Sequence, residues 1–93
     1  MNSAIVVEHN PAAHRFETTV EGLLCEAAYQ RNGDVLLMHH TGVPRALEGR
    51  GIASQLVAAA FDYARAQHLK IHPLCSYVRV WATRHPEVAD LLV

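Results

Sequence analysis

The sequence predicts an α+β domain, α/β by some schemes: an antiparallel meander, then strand, glycine loop, helix, strand and helix. Three observations predict it. Apolar and polar residues alternate through 15–31 and give way at Asn32-Gly33, a pair suited to the positive φ angles of a type I′ hairpin turn. Beyond residue 51, Ile52, Leu56, Ala59, Ala60, Tyr63 and Ala64 recur at the spacing of one helix face. Between strand and helix stand Gly49 and Gly51, which mark a turn.

The elements follow in order. Ala4 to Glu8 is a short β-branched run that ends in a turn at Asn10-Pro11. Arg15 to Val20 sets Phe16, Thr18 and Val20 on one face, and Glu21-Gly22 turns the chain. In Leu23–Arg31, Leu23, Cys25, Ala27 and Tyr29 share a face opposite Glu26 and Gln30. Asp34–Val43 is apolar on both faces, through Val35, Leu36, Leu37 and Met38, and so reads as a central strand covered above and below. Pro44 closes it. The helix opens at Gly49 or Gly51 and runs to Gln67 or His68, with Ala53 and Val57 beside its apolar stripe and Gln55, Asp62 and Arg65 wet. Lys70-Ile71-His72 is a short strand, and a helical crossover lets it pair in parallel with Asp34–Val43. Pro73 stops it. Cys75 to Arg84 is helical, with Val78 and Trp81 or Ala82 facing inward. His85-Pro86 breaks that helix, and Glu87 to Leu92 forms a last one.

Composition narrows the class of protein. Ninety-three residues make one domain, 1–93, and 51% apolar against 18% charged residues describes a folded globule. A net charge of −1, with Lys and Arg spread thinly, argues against a nucleic-acid surface. Cys25 and Cys75 make no disulfide framework, and no apolar run reaches the ~18 residues of a membrane span. The N-terminus lacks the basic start of a signal peptide, so the expected location is cytoplasmic, off the membrane, as a monomer or weak homodimer. Seven histidines invite a metal, but their spacing fits none: His39 and His40 are adjacent in a strand, and a strand lies between His68 and His72. No metal is expected.

The chemistry concentrates at residues 41–56. A strand feeding a glycine loop at a helix N-terminus suits an anion, because the first helical N–H groups lack partners and carry partial positive charge. The plain alternative is a tight strand-to-helix connection. Cys75, after Pro73-Leu74 and at or just before a helix start, is the sharpest candidate nucleophile, since a helix dipole favours thiolate. As a small hydrophobe it would instead be core, the reading also given to Cys25.

The residues His40-Thr41-x-Val43-Pro44, Gly49-x-Gly51-Ile52-Ala53-x-x-Leu56, Pro73-x-Cys75-Ser76-Tyr77-Val78 and His85-Pro86-Glu87-x-x-Asp90-Leu91 resemble the GNAT N-acetyltransferase superfamily. The similarity is greatest to its small single-domain subgroup of predicted acetyltransferases. The resemblance implies a minimal GNAT fold, like that of acyl-CoA N-acyltransferases. It implies acetyl-CoA, or coenzyme A, as co-substrate, with Thr41 and Val43 on pantetheine and Gly49, Arg50, Gly51, Ile52 and Ala53 on pyrophosphate. It sets Cys75 near the acetyl group, where a transient thioester could form, with His40 as base or polariser. Glu26 could deprotonate an amine through water and Tyr77 protonate the leaving thiolate, although solvated surface and packing are the plainer readings. Tyr63 and Trp81 read as core aromatics.

Two departures qualify the match. Ala46 stands where larger members carry Gln or Arg, and the chain ends at Val93 without the family's last hairpin. The expected function is therefore acetyl-CoA (acyl-CoA) binding with N-acetyl transfer to an unidentified amine. The alternatives are a non-catalytic acyl-CoA sensor and an interaction module.

Overall fold

The computed structural model describes residues 5–93. Strands β1 (Glu8–Asn10), β2 (Arg15–Val20), β3 (Leu23–Asn32), β4 (Val35–Gly42) and β5 (Lys70–Pro73) form one sheet in the order β1-β2-β3-β4-β5. The first four are antiparallel neighbours, and β5 runs parallel to β4, as the crossover through α1 (Ile52–Ala66) requires. Helix α2 (Ser76–Thr83) follows β5. Short 3-10 turns occupy Pro11–Ala13, Arg45–Leu47 and Pro86–Leu91.

The hairpin expected at Asn32-Gly33 turns one residue later, through Gly33-Asp34 with only Gly33 at positive φ, because Asn32 pairs with Val35. Four larger expectations change. The first strand lies later than Ala4–Glu8: Ala4 is outside the described residues, residues 5–7 are not strand, and β1 begins at Glu8. A β-branched run is a propensity, whereas a strand needs a partner, and β2 offers one only from Arg15 to Glu17. The final segment is 3-10 rather than α, since six residues between Pro86 and Leu91 are too few for a stable α-helix. The third change concerns the face that α1 buries. Val57 and Phe61 are buried, whereas Ala59 and Tyr63 are half-exposed, because α2 packs beside α1 and stacks Trp81 on Phe61 with centroids 5.2 Å apart.

The fourth change matters most. β4 is interior, between β3 and β5, but it is covered on one face only. Phe16, Cys25, Ala27, Tyr29, Leu36, Met38 and Ile71 point into a single core with both helices. Val35 and Leu37, on the other face, stay half-buried, and with Leu24 they leave an open apolar sheet surface. The crossover and α2 both fold back over one side, so the second apolar face of β4 has no helix to meet. Among the described residues, no helix is long and apolar enough to cross a membrane.

Candidate functional site

The site grows out of an irregular β4. Its partner register with β3 passes from Tyr29↔Met38 to Ala28↔His40, so His39 is an extra residue, a β-bulge. Its ladder with β5 ends at Met38↔Pro73. There the Met38 carbonyl accepts hydrogen bonds from the Leu74 and Cys75 backbone N–H groups, at 3.0 and 2.8 Å. Beyond Met38, β4 continues to Gly42 paired with β3 alone, and β4 and β5 part.

The loop closes one side of this gap. Pro44 ends the extended run, and the 3-10 turn Arg45–Leu47 carries Leu47 wholly into the core. The chain then passes Gly49 and Gly51, both at positive φ, into α1. Gly51 caps that helix without any side-chain hydrogen bond, so no capping side chain competes for the first N–H groups of a 15-residue helix. They open on a cleft of about 490 Å³ lined by Thr41, Gly42, Val43, Leu47, Glu48, Gly49, Gly51, Ile52, Ala53 and Tyr77. Six of the seven cofactor-binding residues named from sequence thus share one cavity: Thr41, Val43, Gly49, Gly51, Ile52 and Ala53. Arg50 does not line it. Its Nη1 donates to Glu21 Oε2, 2.7 Å away.

Cys75 meets the same gap from the other side. It caps α2, half-buried, with Sγ 3.6 Å from Thr41 Oγ1. Burial raises its pKa, but the Val78 N–H, the Thr41 hydroxyl, and the Tyr77 and Thr41 N–H groups outweigh it, and the thiol ionises below its ordinary value. These N–H groups favour the anion without closing a side-chain capping bond. Cys25 is the contrast: fully buried, its pKa is pushed up.

A test follows from the two thiols. Iodoacetamide should modify Cys75 with a half-maximal pH below that of an unfolded thiol, leave Cys25 untouched, and shift upward in Thr41→Val. The sign for stability is the same. A thiol with a depressed folded pKa gives full stabilisation above the unfolded pKa, and loses it as pH falls through the folded one. A Cys75 profile matching the denatured chain's would refute the cradle.

His40 stands elsewhere. It is exposed on the open sheet face, its Nε2 4.0 Å from Glu26 Oε2, while Glu26 Oε1 lies 3.5 Å from Arg15 Nη1. No hydrogen bond among the described residues joins His40 to Cys75. Tyr77, 39% exposed, lines the cleft, whereas Trp81 packs as expected of a core aromatic and donates to Ser54 Oγ at 2.9 Å. Tyr63, expected in the core, is only partly buried at its edge. Among the described residues, no three or more His, Cys, Asp or Glu side chains gather as a metal site would need.

Sequence reasoning missed two partnerships and one glycine. Thr41 touches the thiol and Glu21 holds Arg50 across 34 and 29 residues, separations that leave no local signal. Gly42 was legible in principle, as a glycine inside a strand. A Cβ there would come within 3.0 Å of His40 Nε2.

Comparison with known proteins gives consistent results. A family model described as GCN5-related N-acetyl-transferase matches residues 15–91. The chain is 34% identical over 91 residues to Protein NATD1 of Xenopus tropicalis, covering 91% of this chain and 81% of that one. It is 35% identical over 88 residues to Protein NATD1 of Homo sapiens, covering 88% and 75%. The solution structure of a GCN5-like protein from Staphylococcus aureus superposes with a TM-score of 0.75 at 23% identity, covering 95% of this chain and 87% of that one. The last match shows a shared fold.

Proposed function

The chain belongs to the GCN5-related N-acetyltransferase family, and on that premise we propose that it binds acetyl-CoA and transfers the acetyl group to an amine. One observation carries the reading: a single cleft is lined both by the start of α1, with its uncapped N–H groups, and by Thr41, whose hydroxyl lies 3.6 Å from Cys75 Sγ. Pyrophosphate at Gly49, Gly51, Ile52 and Ala53 would meet those N–H groups, and pantetheine would lie along Thr41 and Val43. The thioester would then end near Cys75.

Two routes use these groups. In direct transfer, a deprotonated amine attacks the thioester carbonyl, the C–S bond breaks, and the coenzyme thiolate takes a proton, with Tyr77 as its source. In the thioester route the Cys75 thiolate attacks first, the coenzyme thiolate leaves, and the amine then displaces Cys75 from the acetyl carbon. The depressed thiol favours the second route. Either route needs a base for the amine proton. His40, beside the Glu26 carboxylate on the open sheet face, is the candidate from the sequence. It stands outside the cleft, so the acceptor amine would have to approach from that face. A working thiolate needs a reducing compartment, so the proposal includes a cytoplasmic location.

A second reading, an acyl-CoA sensor without turnover, is favoured by one observation: no hydrogen bond links His40 to Cys75. Incubation with labelled acetyl-CoA separates the two. The proposal expects binding, label on the native chain, none on Cys75→Ser, and acetylation of some member of an amine panel. Binding with neither label nor transfer identifies the sensor. If neither acetyl-CoA nor CoA binds at millimolar concentration, both readings fall.

A further inference from the structure

The β2–β3 turn carries a residue that its backbone does not favour. Glu21 has φ +53 and Gly22 φ +78, so both central positions of this two-residue hairpin loop are left-handed, as in a type I′ turn. Asn, Asp and Gly suit the first position, and another L-residue there is strained. The Glu21 side chain makes no hydrogen bond within the turn. It reaches out to Arg50, 29 residues later, and accepts from Nη1 at 2.7 Å. Strain at a turn with no local benefit is a reason to look for a distant one.

Arg50 is the other half of the argument. It lies between Gly49 and Gly51, which both line the cleft while it does not. It is the cation that the two glycines flank, turned to a carboxylate on a neighbouring turn. Both partners are exposed, at 46% and 62% of their side chains, so the pair is weak enough to exchange. Glu8 and Glu17 line the same surface groove as Glu21, and Glu17 is itself taken by Arg15. Arg50 thus sits where an acidic groove meets an anion-seeking loop.

We infer that Glu21 is an intramolecular competitor of the loop's ligand, holding the Arg50 guanidinium until a diphosphate draws it away. This rests on the reading of the loop as a diphosphate site and adds a control to it. A carboxylate carries one negative charge and a diphosphate carries more, so exchange favours the ligand while lowering its net affinity. The empty loop, with its cation occupied, holds small anions poorly. The turn strain at Glu21 follows from this role, since Asn would fit the backbone better but could not neutralise Arg50.

Calorimetric titration of the full chain with CoA, and with pantetheine, which lacks phosphate, tests the inference. Glu21→Asn should bind CoA about threefold tighter at low salt, the size expected for losing one exposed ion pair. The gain should vanish at high salt and in an Arg50→Gln background, and pantetheine affinity should not change. Asn suits the left-handed position, so the variant should fold at least as stably as the native chain, and Glu21→Gln provides a second variant. Unchanged or weaker CoA binding in both variants, or an equal gain without Arg50, would overturn the inference while leaving the cofactor reading intact. Failure of CoA to bind the native chain would overturn both.

Discussion

Gly51→Ala is expected to lower CoA affinity about tenfold, while Gly33→Ala leaves it unchanged, with both read by titration of the folded protein. The comparison separates two costs of adding a methyl group. Both glycines hold positive φ, +78 at Gly51 and +59 at Gly33, and at both a new Cβ would meet nothing within 4 Å. Each variant should therefore lose about 1–2 kcal/mol of stability for forcing an L-residue into the left-handed region. Of the two, only Gly51 lines the cleft, next to the first N–H groups of α1. Backbone that a phosphate must approach closely cannot carry a side chain there. Equal CoA affinity in the two variants would remove Gly51 from the site and leave it as a helix cap alone.

Phe61→Ala is expected to cost about 3–5 kcal/mol, read as a shift in the urea midpoint at unchanged slope. Phe61 is the largest fully buried side chain, and it stacks on Trp81, which in turn stacks on His85 with centroids 3.7 Å apart. Removing the ring empties the junction of α1 and α2, and this loss adds to the transfer free energy. A domain of this size has about 5–15 kcal/mol in total, so the variant should be close to unfolding at 37 °C. A loss under about 1 kcal/mol would mean that α2 is only loosely attached, contrary to the stacking seen.

Phe61 also marks where reading by periodicity stops. Its neighbours at helical spacing named a stripe through Ala59 and Tyr63, correct in period but rotated from the buried face, which includes Val57 and Phe61. Period locates a helix, but the buried face depends on what packs against it. β4 shows the same limit. Its double-sided apolar pattern implied cover above and below, yet both helices fold to one side. The cleft fared better, since Gly49-x-Gly51 and the Thr41–Val43 run sit within a dozen residues, and a strand–turn–helix unit brings them together by local geometry. Arg50 is the exception, turned out of the cleft by Glu21.

By itself the sequence determined a hairpin turning beside Gly33, the strands on either side of it, a helix opening in the Gly49–Gly51 turn and the start of α2 near Cys75. These rest on the backbone preferences of Gly, Pro and Asn and on side-chain period, which act within a few residues. The hairpin loop itself is Gly33-Asp34, one residue later than Asn32-Gly33, because Asn32 pairs with Val35. Only the tertiary structure decided that His39 bulges, that β4 and β5 part after Met38, that Thr41 meets Cys75, and that Glu21 takes Arg50. Contacts between residues about thirty positions apart depend on loop closure and on which faces pack, and no local pattern encodes either.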